Sequence, residues 1–146
     1  MKKFWHVSVF KTRFIILNLI ILGFFGVLTT QGWVLSVLNK DITYISHFLV
    51  VYTFYGLYNV FIKNWEEAAF TAESLVKLGL IGTITGFIIA FSGVTPDVIG
   101  NQEMIQQMIL NLIPGVSVSL VTTLVGGIGN LWIFHNINSL YKYKDA

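Results

Sequence analysis

The sequence predicts an all-α protein: an integral membrane bundle of four transmembrane helices with both termini cytoplasmic. Three observations carry this expectation. Of 146 residues, 55% are hydrophobic and only 11% are charged, against about 25% charged in ordinary globular domains. Mean hydropathy is +0.74. The apolar residues also gather into four long runs, and the basic residues fall almost entirely on one side of them.

The first run covers positions 14–34 and is broken by Asn39, Lys40 and Asp41. It follows a basic start, as a secretory signal would, but no small-x-small cleavage site follows it, so it is expected to stay as a span. The second run covers 45–62. The third, 75–94, is ended by Thr95, Pro96 and Asp97, and the fourth covers 108–134, where Pro114 either kinks the helix or begins its regular part. Each is close to the roughly 20 residues needed to cross a bilayer. The connection 63–77 reads as helical, as one bent helix or two, with continuation of the flanking spans left open by the sequence, and the one at 95–107 as a short amphipathic helix or a loop. All four spans form one domain, 1–146.

Charge sets the orientation. Lys2, Lys3, Lys11 and Arg13 precede the first span, Lys63 and Lys77 lie between the second and third, and Lys142 and Lys144 follow the fourth. Only Lys40 lies on the other side, which places the termini and the 63–77 connection in the cytoplasm. Trp5, Trp33, Tyr44, Trp65, Tyr141 and Tyr143 fall near the span ends, where aromatic anchors belong.

Nothing points to an enzyme or a resident cofactor. The chain has no cysteine and no metalloprotease, nucleophile-elbow or P-loop signature. Glu66, Glu67 and Glu73 read as a solvated helix face. The net charge of +2 is too small to imply nucleic acid as a partner. Membrane lipid is the partner the composition does imply.

The third and fourth spans carry small residues at helical spacing. Gly79, Gly82 and Gly86 line one side of the third, with Gly82 and Gly86 forming a GxxxG pair. In the fourth, Ser119, Thr123 and Gly127 form one small-xxx-small row, and Thr122 and Gly126 a parallel one. Such rows permit close backbone approach between helices. Thr29, Thr30 and Thr53 are expected to bond back to carbonyls of their own helix. Thr83, Thr122 and Thr123 carry more weight, because glycine rows flank them. Asn18, Asn59 and Asn130 are expected to hydrogen-bond between helices, and His47 and His135 to sit at the interfaces. No Asp, Glu, Lys or Arg lies centrally in a span, so a proton path would need a carboxylate from another subunit.

The motifs Gly79-Leu80-Ile81-Gly82-Thr83-Ile84-Thr85-Gly86 and Pro114-Gly115-Val116-Ser117-Val118-Ser119-Leu120-Val121-Thr122-Thr123-Leu124-Val125-Gly126 resemble the GLxGTVxG and PGIxxALxxTxxG patterns of the MotA/TolQ/ExbB proton-channel family, in the same order. The resemblance covers about 74–141. It implies an ion-motive-force-driven motor or stator subunit of a bacterial inner membrane. It also implies a homopentamer around a dimer of a single-span partner that brings an intramembrane Asp. Carried over by motif, Thr83 and Thr123 are the pore threonines, and Thr122 offers a further hydroxyl. Gly79, Gly82, Gly86, Gly126 and Gly127 then serve tight packing with Ser119, and Pro114 and Gly115 shape the start of the fourth span. The transported ion is H⁺ on family grounds, with Na⁺ as the alternative. About fifteen residues stand where flagellar relatives place a large cytoplasmic domain, so the chain resembles a short-loop member. The competing expectation is a non-transporting structural or assembly protein. A small transporter ranks third, because no inverted repeat is evident.

Overall fold

A computed structural model describes residues 2–92, 94 and 102–141. Five helices follow in chain order: α1 (Lys2–Thr30), α2 (Trp33–Leu38), α3 (Ile45–Phe61), α4 (Trp65–Phe91) and α5 (Gln102–Leu140). No strand occurs among the described residues. Three of the helices are long and apolar enough to cross a membrane: Val9–Thr30 within α1, α4 and α5. The fourth expected span, α3, is apolar but only 17 residues long.

Local chemistry explains the breaks. Gly32 adopts φ 77° after Gln31 and ends the first helix before the expected boundary. The chain then restarts as the short α2. Asp41 organises the entry to α3: its carboxylate accepts the Thr43 hydroxyl at 2.5 Å, the Thr43 N–H at 2.9 Å and the Ser46 N–H at 2.6 Å. Burial pushes this carboxyl up, but the hydrogen bonds from Ser46 and Thr43 outweigh it and hold its pKa below the ordinary value. Stability gained there is present at neutral pH and is lost as pH falls through the depressed pKa.

The connection 63–77 proves asymmetric. A break at 62–64, with Lys63 at φ 63°, separates it from α3, and from Trp65 onward it belongs to α4. The Asn64 side chain caps that start by accepting the Glu67 N–H at 3.5 Å, and Glu66 and Glu67 sit where the helix dipole favours acid. Of the 95–107 connection, residues 102–107 are the first turns of α5, while Asp97 lies outside the described residues. Lys142, Tyr143 and Lys144 also lie outside them.

α3, α4 and α5 form the packed centre. Its apolar cluster includes Leu49, Leu57 and Val60 of α3, Ala68, Ala72 and Leu75 of α4, and Ile133 and Leu140 of α5, joined by Phe10 of α1. Outside that cluster the usual order of a soluble protein is inverted. Ile20 is 69% exposed, Val51 68% and Leu131 69%, an apolar exterior that bilayer chains cover and water would not tolerate.

Candidate functional site: the glycine–threonine seam

α4 and α5 run antiparallel through a row of small residues. Read along α4, Gly79 meets Thr122 and Gly126, Gly82 meets Thr122, and Gly86 meets Ser119 and Gly115. A Cβ at Gly86 would stand 2.5 Å from the Gly115 carbonyl oxygen, and one at Gly126 would stand 2.6 Å from the Leu75 carbonyl oxygen. A Cβ at Gly115 would strike the Ala90 backbone. Backbones this close admit only glycine, and dispersion between them drives association where lipid removes the hydrophobic gain.

The stripe that α5 turns to its neighbours is Gly115, Ser119, Thr122, Gly126 and Gly129, at intervals of four and three. Gly129 was not singled out in the sequence, although it continues this spacing. A Cβ there would strike the Thr53 hydroxyl of α3. Gly56 of α3 was also missed, and its Cβ would lie 3.0 Å from Thr71 and closer still to Ile133. Gly127 looks elsewhere, since a Cβ there would meet nothing within 4 Å. Pro114 is exposed inside α5, beside the seam rather than in it.

The three threonines divide. Thr122 is fully buried, faces Gly82, and donates to the Val118 carbonyl at 2.8 Å. Thr123, about 100° further round the helix, lies at the exposed rim. There its hydroxyl hydrogen-bonds that of Thr83. The Ser119 carbonyl receives Thr123 at 2.9 Å and Thr83 at 3.3 Å. Thr83 also points to the Gly79 carbonyl at 3.0 Å. In return, the Ser119 hydroxyl donates to the Thr83 carbonyl at 2.8 Å. The Ser119 carbonyl also receives the Thr122 hydroxyl at 3.3 Å, and both carbonyls already take a helical N–H, so the acceptor capacity still open belongs to the two threonine hydroxyl oxygens. Lone pairs are left over at the rim, which makes it a cluster of hard oxygen donors without formal charge.

The other polar residues have plainer roles. Thr29, Thr30, Thr53 and Thr85 bond back to their own helices at 2.8–3.0 Å. Asn130 reaches from α5 to the Ala72 carbonyl of α4 at 2.8 Å, whereas Asn59 bonds within α3 to Tyr55 at 3.0 Å. Asn18 of α1 donates to the Asn136 side-chain oxygen at 2.8 Å and accepts the Trp132 indole N–H at 2.8 Å. Neither α5 partner was flagged in the sequence. His47 is half-buried and His135 exposed. No cluster of three His, Cys, Asp or Glu able to hold a metal occurs among the described residues. Compared with known proteins, the chain matches no family model, no curated protein and no solved structure.

Proposed function

We propose that this chain is the multi-span subunit of an ion-motive-force-driven motor or stator complex of a bacterial inner membrane. One observation carries the reading. Two hydroxyls from antiparallel helices, Thr83 and Thr123, converge at the open rim of a seam that is otherwise sealed by glycine. An ion passing there is met by oxygen ligands, yet a single chain does not enclose its path. The missing wall and the missing carboxylate are then the work of other subunits: a homopentamer of this chain around a dimer of a single-span partner bearing an Asp. α3 is the fourth span in this scheme. At about 1.5 Å per residue it reaches roughly 26 Å, a mismatch that local bilayer thinning accommodates. The ion is H⁺ by this reading, with Na⁺ the alternative suited to the same oxygens.

Thr83→Val and Thr123→Val test it. Valine keeps the volume and removes the hydroxyl, so both variants are expected to assemble normally, with native mass spectrometry counting five copies, and to lose ion flux in proteoliposomes containing the partner. Normal flux through both, with assembly intact, would eliminate the pathway. A second reading, a structural or assembly protein, is favoured by the fact that every hydroxyl of the seam already has an intramolecular acceptor. It expects the two valine variants to be silent.

A further inference from the structure

Beyond Asn18, α1 lines one side of a space that the protein does not fill. Between α1, α2, α3 and α5 lies a partly open cavity of about 330 Å³, bounded by Phe25, Val37, Leu38, Val50, Thr53 and Trp132. It presents no polar surface. Even the Thr53 hydroxyl is spent on the Leu49 carbonyl at 2.8 Å. An apolar cavity of about 150 Å³ already stays dry and takes up hydrocarbon. This one is roughly twice that size and opens among helices whose outer faces are themselves apolar. Water has no hydrogen-bond partner in it.

The chain just beyond the α2 side of the cavity carries the second observation. α2 leads from Val37 and Leu38 directly to Lys40, whose N–H donates to the Val37 carbonyl at 3.2 Å. Lys40 is the one basic residue on its side of the spans, it is exposed, and it joins no ion pair among the described residues. The adjacent Asp41 is not available to neutralise it, because its carboxylate is folded inward onto Thr43 and Ser46. The lining of a dry slot for hydrocarbon is thus followed, two residues past Leu38, by an unpaired cation on a flexible stem. We infer that this cavity holds one acyl chain of a bilayer phospholipid, with the lipid phosphate against Lys40.

The inference rests on the membrane location and on α3 being the fourth span, and is independent of the ion pathway. It is tested by reconstituting the full chain in nanodiscs of equal dioleoyl phosphatidylglycerol and dioleoyl phosphatidylcholine, extracting it in mild detergent, and counting retained lipid by native mass spectrometry. The wild type is expected to keep one lipid per chain, mainly phosphatidylglycerol. Val50→Phe and Val37→Phe, which fill the cavity, lose it. Val51→Phe, on the neighbouring lipid-facing side of α3, keeps it. Lys40→Ala lowers the phosphatidylglycerol preference about fivefold. Helicity by circular dichroism identifies any variant that fails to fold, and two filling variants keep the test alive if one does. No retained lipid in the wild type, equal retention in Val50→Phe and Val51→Phe, or a changed subunit count in the filling variants would overturn the inference. The last outcome would mean that a neighbouring copy fills the space.

Discussion

α5 holds α4 and α1 in opposite ways. Against α4 it offers backbone: Gly115 and Gly126 come within van der Waals reach of Gly86, Ala90, Leu75 and Gly79. Against α1 it offers side chains: Asn136 and Trp132 grip Asn18, and the Trp132 ring stacks on Phe25 at 5.8 Å. The glycines of α1, Gly23 and Gly26, meet nothing within 4 Å. Lipid tails are as apolar as leucine, so helices in a bilayer associate through close packing or through polar contacts. The α4 seam combines close packing with the hydrogen bonds of Ser119, Thr83, Thr123 and Asn130 across it, whereas the α1 contact is made by side chains alone. Continuous backbone contact fixes the relative position of two helices along their length. Side-chain contacts hold α1 at separate points, at Phe10, Asn18 and Phe25, without bringing the backbones together, and the cavity beside Trp132 lies in the space left between them.

Substitutions can break the contrast in graded steps. Gly86→Leu is expected to do the most damage, because no rotamer avoids the Gly115 and Ser119 backbones; a loss of about 3 kcal/mol or more would appear as a reduced folded fraction under denaturing detergent. Asn18→Leu leaves the Trp132 N–H and the Asn136 amide without their partner. It should cost about 1–2 kcal/mol and release α1 alone, seen as faster thiol labelling of Leu17→Cys in a chain that has no native cysteine. Ser119→Ala removes one hydroxyl-to-carbonyl bond across the seam and should cost about 0.6 kcal/mol in the same denaturation assay. Gly127→Ala should change stability by less than about 0.5 kcal/mol, since its Cβ enters open space. If Gly127→Ala were as damaging as Gly86→Leu, the distinction between seam and rim would be wrong.

Much of the seam was legible because helical period is a local property of sequence. Gly79, Gly82 and Gly86 share a face by spacing alone, and the same arithmetic separates Thr122 from Thr123. The encounter of Thr83 with Thr123 is not local, and only the resemblance pointed to it. Gly127 was grouped with the packing residues because the four-residue row through Ser119 and Thr123 was extended in a straight line. The real stripe alternates steps of four and three, and by Gly127 a row of fours has rotated off the contact. The Asn18–Asn136 pair joins residues 118 positions apart, and nothing near either asparagine names its partner. The helix break at 62–64 was hidden because Lys63 and Asn64 are ordinary in a helix surface, and their turn-forming role shows only in the backbone.

The length of α5 has a mechanical consequence. Residues 115–140 already match the 27 residues of α4 turn for turn, and the aromatic contact of Trp65 with Tyr141 at 5.7 Å marks the far end of that pairing. What remains, 102–114, is an overhang of roughly 20 Å projecting past the seam. Pro114 stands at its root, where the missing N–H leaves the Leu110 carbonyl without its intrahelical donor. The helix is therefore a rod with one compliant joint, placed just outside the part that glycine has locked.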